Sequence, residues 1–191
     1  MIGAAIARNG ILRSTFIMDC SQAFAFVALE DFFSLLLAGR GMNAVASGVI
    51  IAVQLLASAS MGLIVPSVIA HVDKGRFARI CGIVRLSLTA LFLIPFTPVY
   101  LLPVFYVLQT VAYSLFAPIK YSIFQNAVDS SMRCSLISGQ SQMVAVGAIL
   151  FYLFNAVLSS VAGIRVVLLV ALGISSLVYI PALFRLTSQR P

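Results

Sequence analysis

Apolar residues in this chain fall into unbroken stretches, and polar residues collect between them. A bilayer core of ~30 Å takes about 20 helical residues at a rise of ~1.5 Å each. Six stretches reach that length: residues 14–37, 44–70, 77–96, 99–118, 136–162 and 165–186. A membrane-barrel strand would alternate apolar and polar side chains, and these runs do not. Pro95 and Pro98 mark a tight corner between the third and fourth runs. The pattern predicts an all-α integral membrane protein, a six-helix bundle forming one transmembrane domain over 1–191, with no connection long enough for a soluble domain.

Composition agrees. Of 191 residues, 62% are hydrophobic and 9% charged, against about 25% charged in a soluble domain. Such a chain needs lipid as its solvent, where only helices and closed barrels satisfy the backbone.

The net charge of +7 would in a soluble protein hint at nucleic acid. Here its placement argues against that partner, because the basic residues sit between apolar runs. Arg8, Arg13, Lys74, Arg76, Arg79, Arg85, Lys120, Arg133, Arg185 and Arg190 fall on one side, and Arg40 and Arg165 on the other. The positive-inside rule then places both termini of a multi-pass protein in the cytoplasm. The first apolar run is too long for a cleaved signal core. The longest connection, 119–135, follows Pro118 and is amphipathic, Lys120 and Tyr121 interleaving with Ile119, Ile123 and Phe124. It is expected to lie partly in the cytoplasmic interface. Ser58 and Gly62, four apart in the second run, permit close helix packing.

Chemistry inside the membrane concentrates in the first helix. At 100° per residue, Asp19 and Glu30 point within about 20° of each other, with Gln22 and Ser34 about 60° to either side and Asp31 about 100° from Glu30. A carboxylate at membrane depth is costly unless paired or protonated. Asp19, Gln22, Glu30 and Asp31 are therefore candidates for a substrate or proton path. The structural alternative pairs Glu30 or Asp31 with Arg40 or Arg165, and Asp19 with Arg85 or Arg13. His71, the only histidine, ends the second helix; a loop-packing role competes there with proton sensing. Ser138 lies in Ile137-Ser138-Gly139-Gln140-Ser141 but has no nearby base, and no phosphate loop or paired-Asp motif occurs. Cys20, Cys81 and Cys134 have no metal-ligand spacing and read as small packing residues. No enzyme activity, cofactor or metal is expected.

Six helices, a short basic 2–3 loop and a longer basic 4–5 loop resemble the N-terminal half of a major facilitator superfamily transporter. The segment Ile69-Ala70-His71-Val72-Asp73-Lys74-Gly75-Arg76 is similar to that superfamily's loop motif. Lys74-Gly75-Arg76 and Phe116-Ala117-Pro118-Ile119-Lys120-Tyr121-Ser122-Ile123 resemble the bacterial lysophospholipid transporter family in particular, whose fourth helix runs into Pro-Ala-Lys-Tyr-Gly-Ile; Ser138-Gly139 is similar to its Asn-Gly. The chain departs from that pattern at several points. The motif acid falls on Ala70, with Asp73 three residues late, and the Asp-Asn pair of helix 1 falls on Phe26-Val27. Expected acids fall on Asn126 and Gln142, and the helix 5 glycines on Tyr152, Asn155 and Ala156. Such a pattern fits a diverged or decayed relative.

The resemblance implies transport of a small amphiphile, such as a lysophospholipid, across the bacterial inner membrane by alternating access. Asp73, Lys74, Gly75 and Arg76 would form a cytoplasmic latch. The substrate site of such transporters lies between two six-helix halves, so a second half, another chain or a second copy, is an expected partner beside the lipid bilayer. The alternative is a non-transporting membrane module: a truncated half, or an anchor that packs against a lipid-modifying acyltransferase. The charge asymmetry carries a direct test. Reporter fusions after Arg76 should read as cytoplasmic and those after Arg165 as external; an external signal from the 2–3 loop contradicts the topology.

Overall fold

The computed structural model describes residues 9–128 and 130–188, without the side chain of Ala28. Arg8 and Arg190, two of the basic residues counted above, lie outside the described residues. Among the described residues six helices follow one another: α1 Gly10–Ala38, α2 Ala44–His71, α3 Lys74–Leu93, α4 Leu102–Asn126, α5 Arg133–Leu158 and α6 Ile164–Ser188. Short 3₁₀ turns, Val99–Leu101 and Ser130–Met132, precede α4 and α5. Among the described residues there is no strand, and five of the six helices are long and apolar enough to cross a membrane. The exception is α3, which carries Lys74, Arg76, Arg79 and Arg85.

Local chemistry sets the helix starts. Asn9 caps α1, its Oδ1 accepting from the backbone N–H of Ile11 at 3.0 Å and Leu12 at 3.3 Å. Asn43 caps α2 through the N–H of Ala46 at 2.8 Å, after Gly41 turns the chain at a φ of 82°, a conformation that glycine adopts without a Cβ clash. Asp73 caps α3 through the N–H of Arg76 at 2.6 Å. Asx side chains at these positions satisfy amides that have no partner within the helix.

Most helix ends move by a few residues from the sequence reading, and two features depart from it further. Pro118 does not end α4, which continues to Asn126. Proline is tolerated inside a membrane helix when neighbouring groups re-satisfy the backbone, and Pro66 and Pro181 likewise sit inside α2 and α6. The second difference is a π-helical turn over Ala23–Val27 inside α1. A π turn inserts about one extra residue, or ~100° of rotation, so a spacing of 100° per residue no longer holds across it.

The chain forms two compact units. One comprises the described residues up to Leu29 and from Lys120 on, the other Glu30–Ile119. In the first, α1 packs against α5 and α6. Gly147 of α5 lies against the backbone of α1: a Cβ there would stand 2.9 Å from the Cβ of Ala23 and closer still to the carbonyl oxygen of Cys20. Ser175 of α6 donates to the carbonyl of Ser21 at 2.8 Å. Phe24 meets Phe151 edge-on at 5.9 Å, and Leu12, Phe16, Phe124, Val128 and Leu136 close the unit near the α4–α5 turn.

In the second unit, Phe33 stacks on Tyr106 at 3.7 Å between ring centroids and lies 5.9 Å from Phe92. Helix α2 buries only Ser47, Ile50 and Val65, and nothing lies within 4 Å of a Cβ built at Gly48 or Gly62. Gly62 is therefore open among the described residues, whereas Ser58, one turn before it, is half-buried with its Oγ enclosed.

These environments order three glycine substitutions. Gly147→Ala should lower stability by ~1–3 kcal/mol through overpacking. Gly139→Ala, whose Cβ would stand 3.1 Å from the Phe16 ring, should cost less because a side chain can yield. Gly48→Ala should be neutral or stabilising. Thermal unfolding in detergent checks the order; a Gly147→Ala variant that melts with the parent protein contradicts the close α1–α5 approach.

Candidate functional site: a buried charge cluster

Asp19 sits about 13 Å along α1 from Gly10, Lys120 about 9 Å before the end of α4, and Gln140 about 10 Å into α5. The three side chains converge. Lys120 Nζ donates to Asp19 Oδ1, and Gln140 Nε2 donates to Asp19 Oδ2 at 3.0 Å. Lys120 is 1% exposed, Asp19 4% and Gln140 5%, so the cluster is shielded from its surroundings on all sides. The ammonium also lies 5.0 Å from the centroid of the Tyr121 ring, within cation–π range.

Taking both charges out of water costs several kcal/mol per ion, and only a close, hydrogen-bonded partner offsets it. Asp19 meets that condition with both oxygens. Gln140 Oε1 is buried and accepts no bond among the described residues, and an ammonium has three donors. The cluster thus closes around the carboxylate and keeps hydrogen-bonding capacity on its amide and ammonium. Gln22, one helical turn from Asp19, is half-buried, with its Oε1 buried and likewise unpartnered among the described residues.

Lys120 is the main departure from the sequence reading. Pro118, Lys120 and Tyr121 belong to α4 rather than to an interfacial connection; Pro118 and Tyr121 are exposed and Lys120 is enclosed. Two signals pointed there. Gln109, Phe116, Lys120 and Phe124 are all buried and fall at helical spacing, so the pattern continues through Pro118. Asp19, alone in an apolar stretch, also required a cation.

The remaining candidates are dispersed. Glu30 and Asp31 are exposed and follow the π turn, so they do not extend the buried polar face of Asp19. Arg40, expected beside one of them, instead donates through Nη2 to the carbonyl oxygens of Ile94, Pro95 and Thr97 and ties the 1–2 turn to the proline corner. Arg85, a possible partner of Asp19, is 2% exposed. Its Nε donates to Gln109 Oε1 at 3.4 Å and its guanidinium lies 4.1 Å over the ring of Tyr113.

In the loop motif, Lys74 and Arg76 are exposed and Gly75 half-buried. Asp73 bonds the backbone rather than the side chain of Arg76. That contact makes it the cap of α3. Nδ1 of exposed His71 bonds the carbonyl of Ser67 at 2.8 Å, a local helix-end contact.

Comparison with models of protein families, with curated proteins and with solved structures finds no match for the chain.

Breaking the pair tests the cluster. Asp19→Asn or Lys120→Met alone leaves one charge buried and should lower stability by ~3–5 kcal/mol, whereas the double variant should recover most of that loss. Unfolding of all four proteins in the same detergent measures the coupling. Additive losses would contradict the pairing.

Proposed function

We propose that the chain is one half of an alternating-access membrane transporter, with both termini in the cytoplasm of a bacterial inner membrane, moving a small amphiphile such as a lysophospholipid. The Asp19–Lys120–Gln140 cluster carries this reading. Ionisable side chains enclosed within membrane-spanning helices mark substrate or proton pathways by default. This cluster joins a carboxylate to an ammonium, the charge types that recognise a zwitterionic head group. Gln22 extends its polar face along α1. The sparsely buried α2, with Gly48 and Gly62 open, is the surface that a second half would cover. Asp73 orders the start of α3, and the Lys74-Gly75-Arg76 segment beside it is free to contact neighbouring helix ends.

A second reading keeps the protein in the membrane without transport, as a module that anchors a lipid-modifying acyltransferase. The closure of both Asp19 oxygens favours it, because a carboxylate already engaged by Lys120 and Gln140 acts as a structural staple and has less capacity left for a head group.

Reconstitution separates the two. Purified chain is placed in liposomes at increasing protein density, and movement of a fluorescent lysophosphatidylethanolamine is followed. The transporter reading predicts that transport rises with the dimer fraction and that Asp19→Asn/Lys120→Met, folded and inserted, abolishes it. Transport by a proven monomer contradicts the half-transporter. Wild-type rates in the double variant reduce the cluster to a staple, and dimers that never transport favour the anchor.

A further inference from the structure

A groove of about 320 Å³ lies between α1, α5 and α6, lined by Ile17, Phe24, Leu150, Ile174 and Val178 with Cys20 beside them. The hydroxyls on its wall are engaged: Ser21 donates to the carbonyl of Met18 at 3.1 Å, and Ser175 to that of Ser21 at 2.8 Å. Water there would lack the two to four polar partners that hold it in a cavity. Ile17 and Phe24 stand about 10 and 21 Å along α1 from Gly10, and Val178 and Ile174 about 15 and 21 Å from the Ser188 end of α6. All three helices have membrane-spanning length. The groove therefore sits at the depth of lipid chains.

Both walls lead to an arginine at the same end. Asn9 Nδ2 donates to the carbonyl of Ala127 at 3.2 Å, so the α4–α5 turn lies beside the start of α1. From there α5 runs away, and α6 returns after a short turn, which brings the Ser188 end back beside Gly10. Arg13, Ile17, Ser21 and Phe24 are spaced four, four and three residues apart. Ile174, Val178, Pro181 and Arg185 are spaced four, three and four apart. Each set occupies one helix face. Arg13 and Arg185 are both exposed. From the Ser21–Ser175 bond they lie about 12 and 15 Å toward the common end.

We propose that this groove holds an acyl chain of an anionic membrane phospholipid, with its phosphate between Arg13 and Arg185. An apolar channel at chain depth with two cations at its mouth matches that lipid at both ends. Basic positions at the ends of membrane helices bind anionic head groups. The site does not depend on transport. It would bind the same lipid in a transporter or in an anchor.

Native mass spectrometry of the full chain tests it, with titration of dioleoylphosphatidylglycerol and dioleoylphosphatidylcholine in mixed micelles. At roughly fivefold per arginine, the phosphatidylglycerol should bind about twentyfold more tightly. Arg13→Ala/Arg185→Ala should erase that preference while retaining phosphatidylcholine. Val178→Trp, which fills the groove, should weaken both. On the unsubstituted protein, a phosphatidylglycerol with a diazirine in its chain should cross-link within 17–24 and 174–178. A preference that survives the double substitution, cross-links that fall elsewhere, or a dimer broken by Val178→Trp with lipid binding unchanged would each overturn the proposal.

Discussion

A lone charge inside a membrane helix is too costly to leave unpaired, and the organisation of the first unit follows from that constraint. Asp19 and Lys120 are 101 residues apart in the chain and each would be expensive alone. Together, with Gln140 on the second carboxylate oxygen, they hold α1, α4 and α5 at one depth. Hydrophobic burial does not draw these helices together, because lipid tails are as apolar as leucine and exert no preference between helix–helix and helix–lipid contact. Polar contacts and close packing must do so. The approach of Gly147 to the α1 backbone and the Ser175–Ser21 bond provide both on the α5 and α6 sides.

The second unit meets the same demand differently. Arg85 is enclosed by an amide and an aromatic face, and half-buried Arg40 donates to the carbonyls of Ile94 and Thr97 at the proline corner. Arginine suits both places, since its planar fork can serve several acceptors while the guanidinium stacks on a ring. Lysine, a point charge, takes the site where one carboxylate waits.

Five of the six helices were legible because lipid imposes a length and a largely apolar composition, and both are visible without tertiary information; α3, with four cations, was legible from its length and its apolar second half. Asp19 stood out for the same reason. Its partner did not, because Pro118 read as a helix stop and a basic residue after a proline looked like a loop cation. In water that inference is sound; in a membrane helix the proline is tolerated. The π turn at Ala23–Val27 had no readable signal, since Ala-Phe-Ala-Phe-Val differs little from its surroundings, and it removed Glu30 from the face where regular helical spacing had put it beside Asp19. Gly147 looked like any helical glycine until the opposing backbone was seen.

The chain contains two lysines, Lys74 and Lys120, which makes the central claim directly measurable. Protein in native membranes or liposomes is exposed to a small membrane-permeant amine-reactive reagent, and the extent of modification at each lysine is read by peptide mass spectrometry. Exposed Lys74 should be modified readily and Lys120 should resist until the protein is unfolded. Equal modification of the two in folded protein would place Lys120 at the membrane surface and remove the buried pair on which the architecture rests.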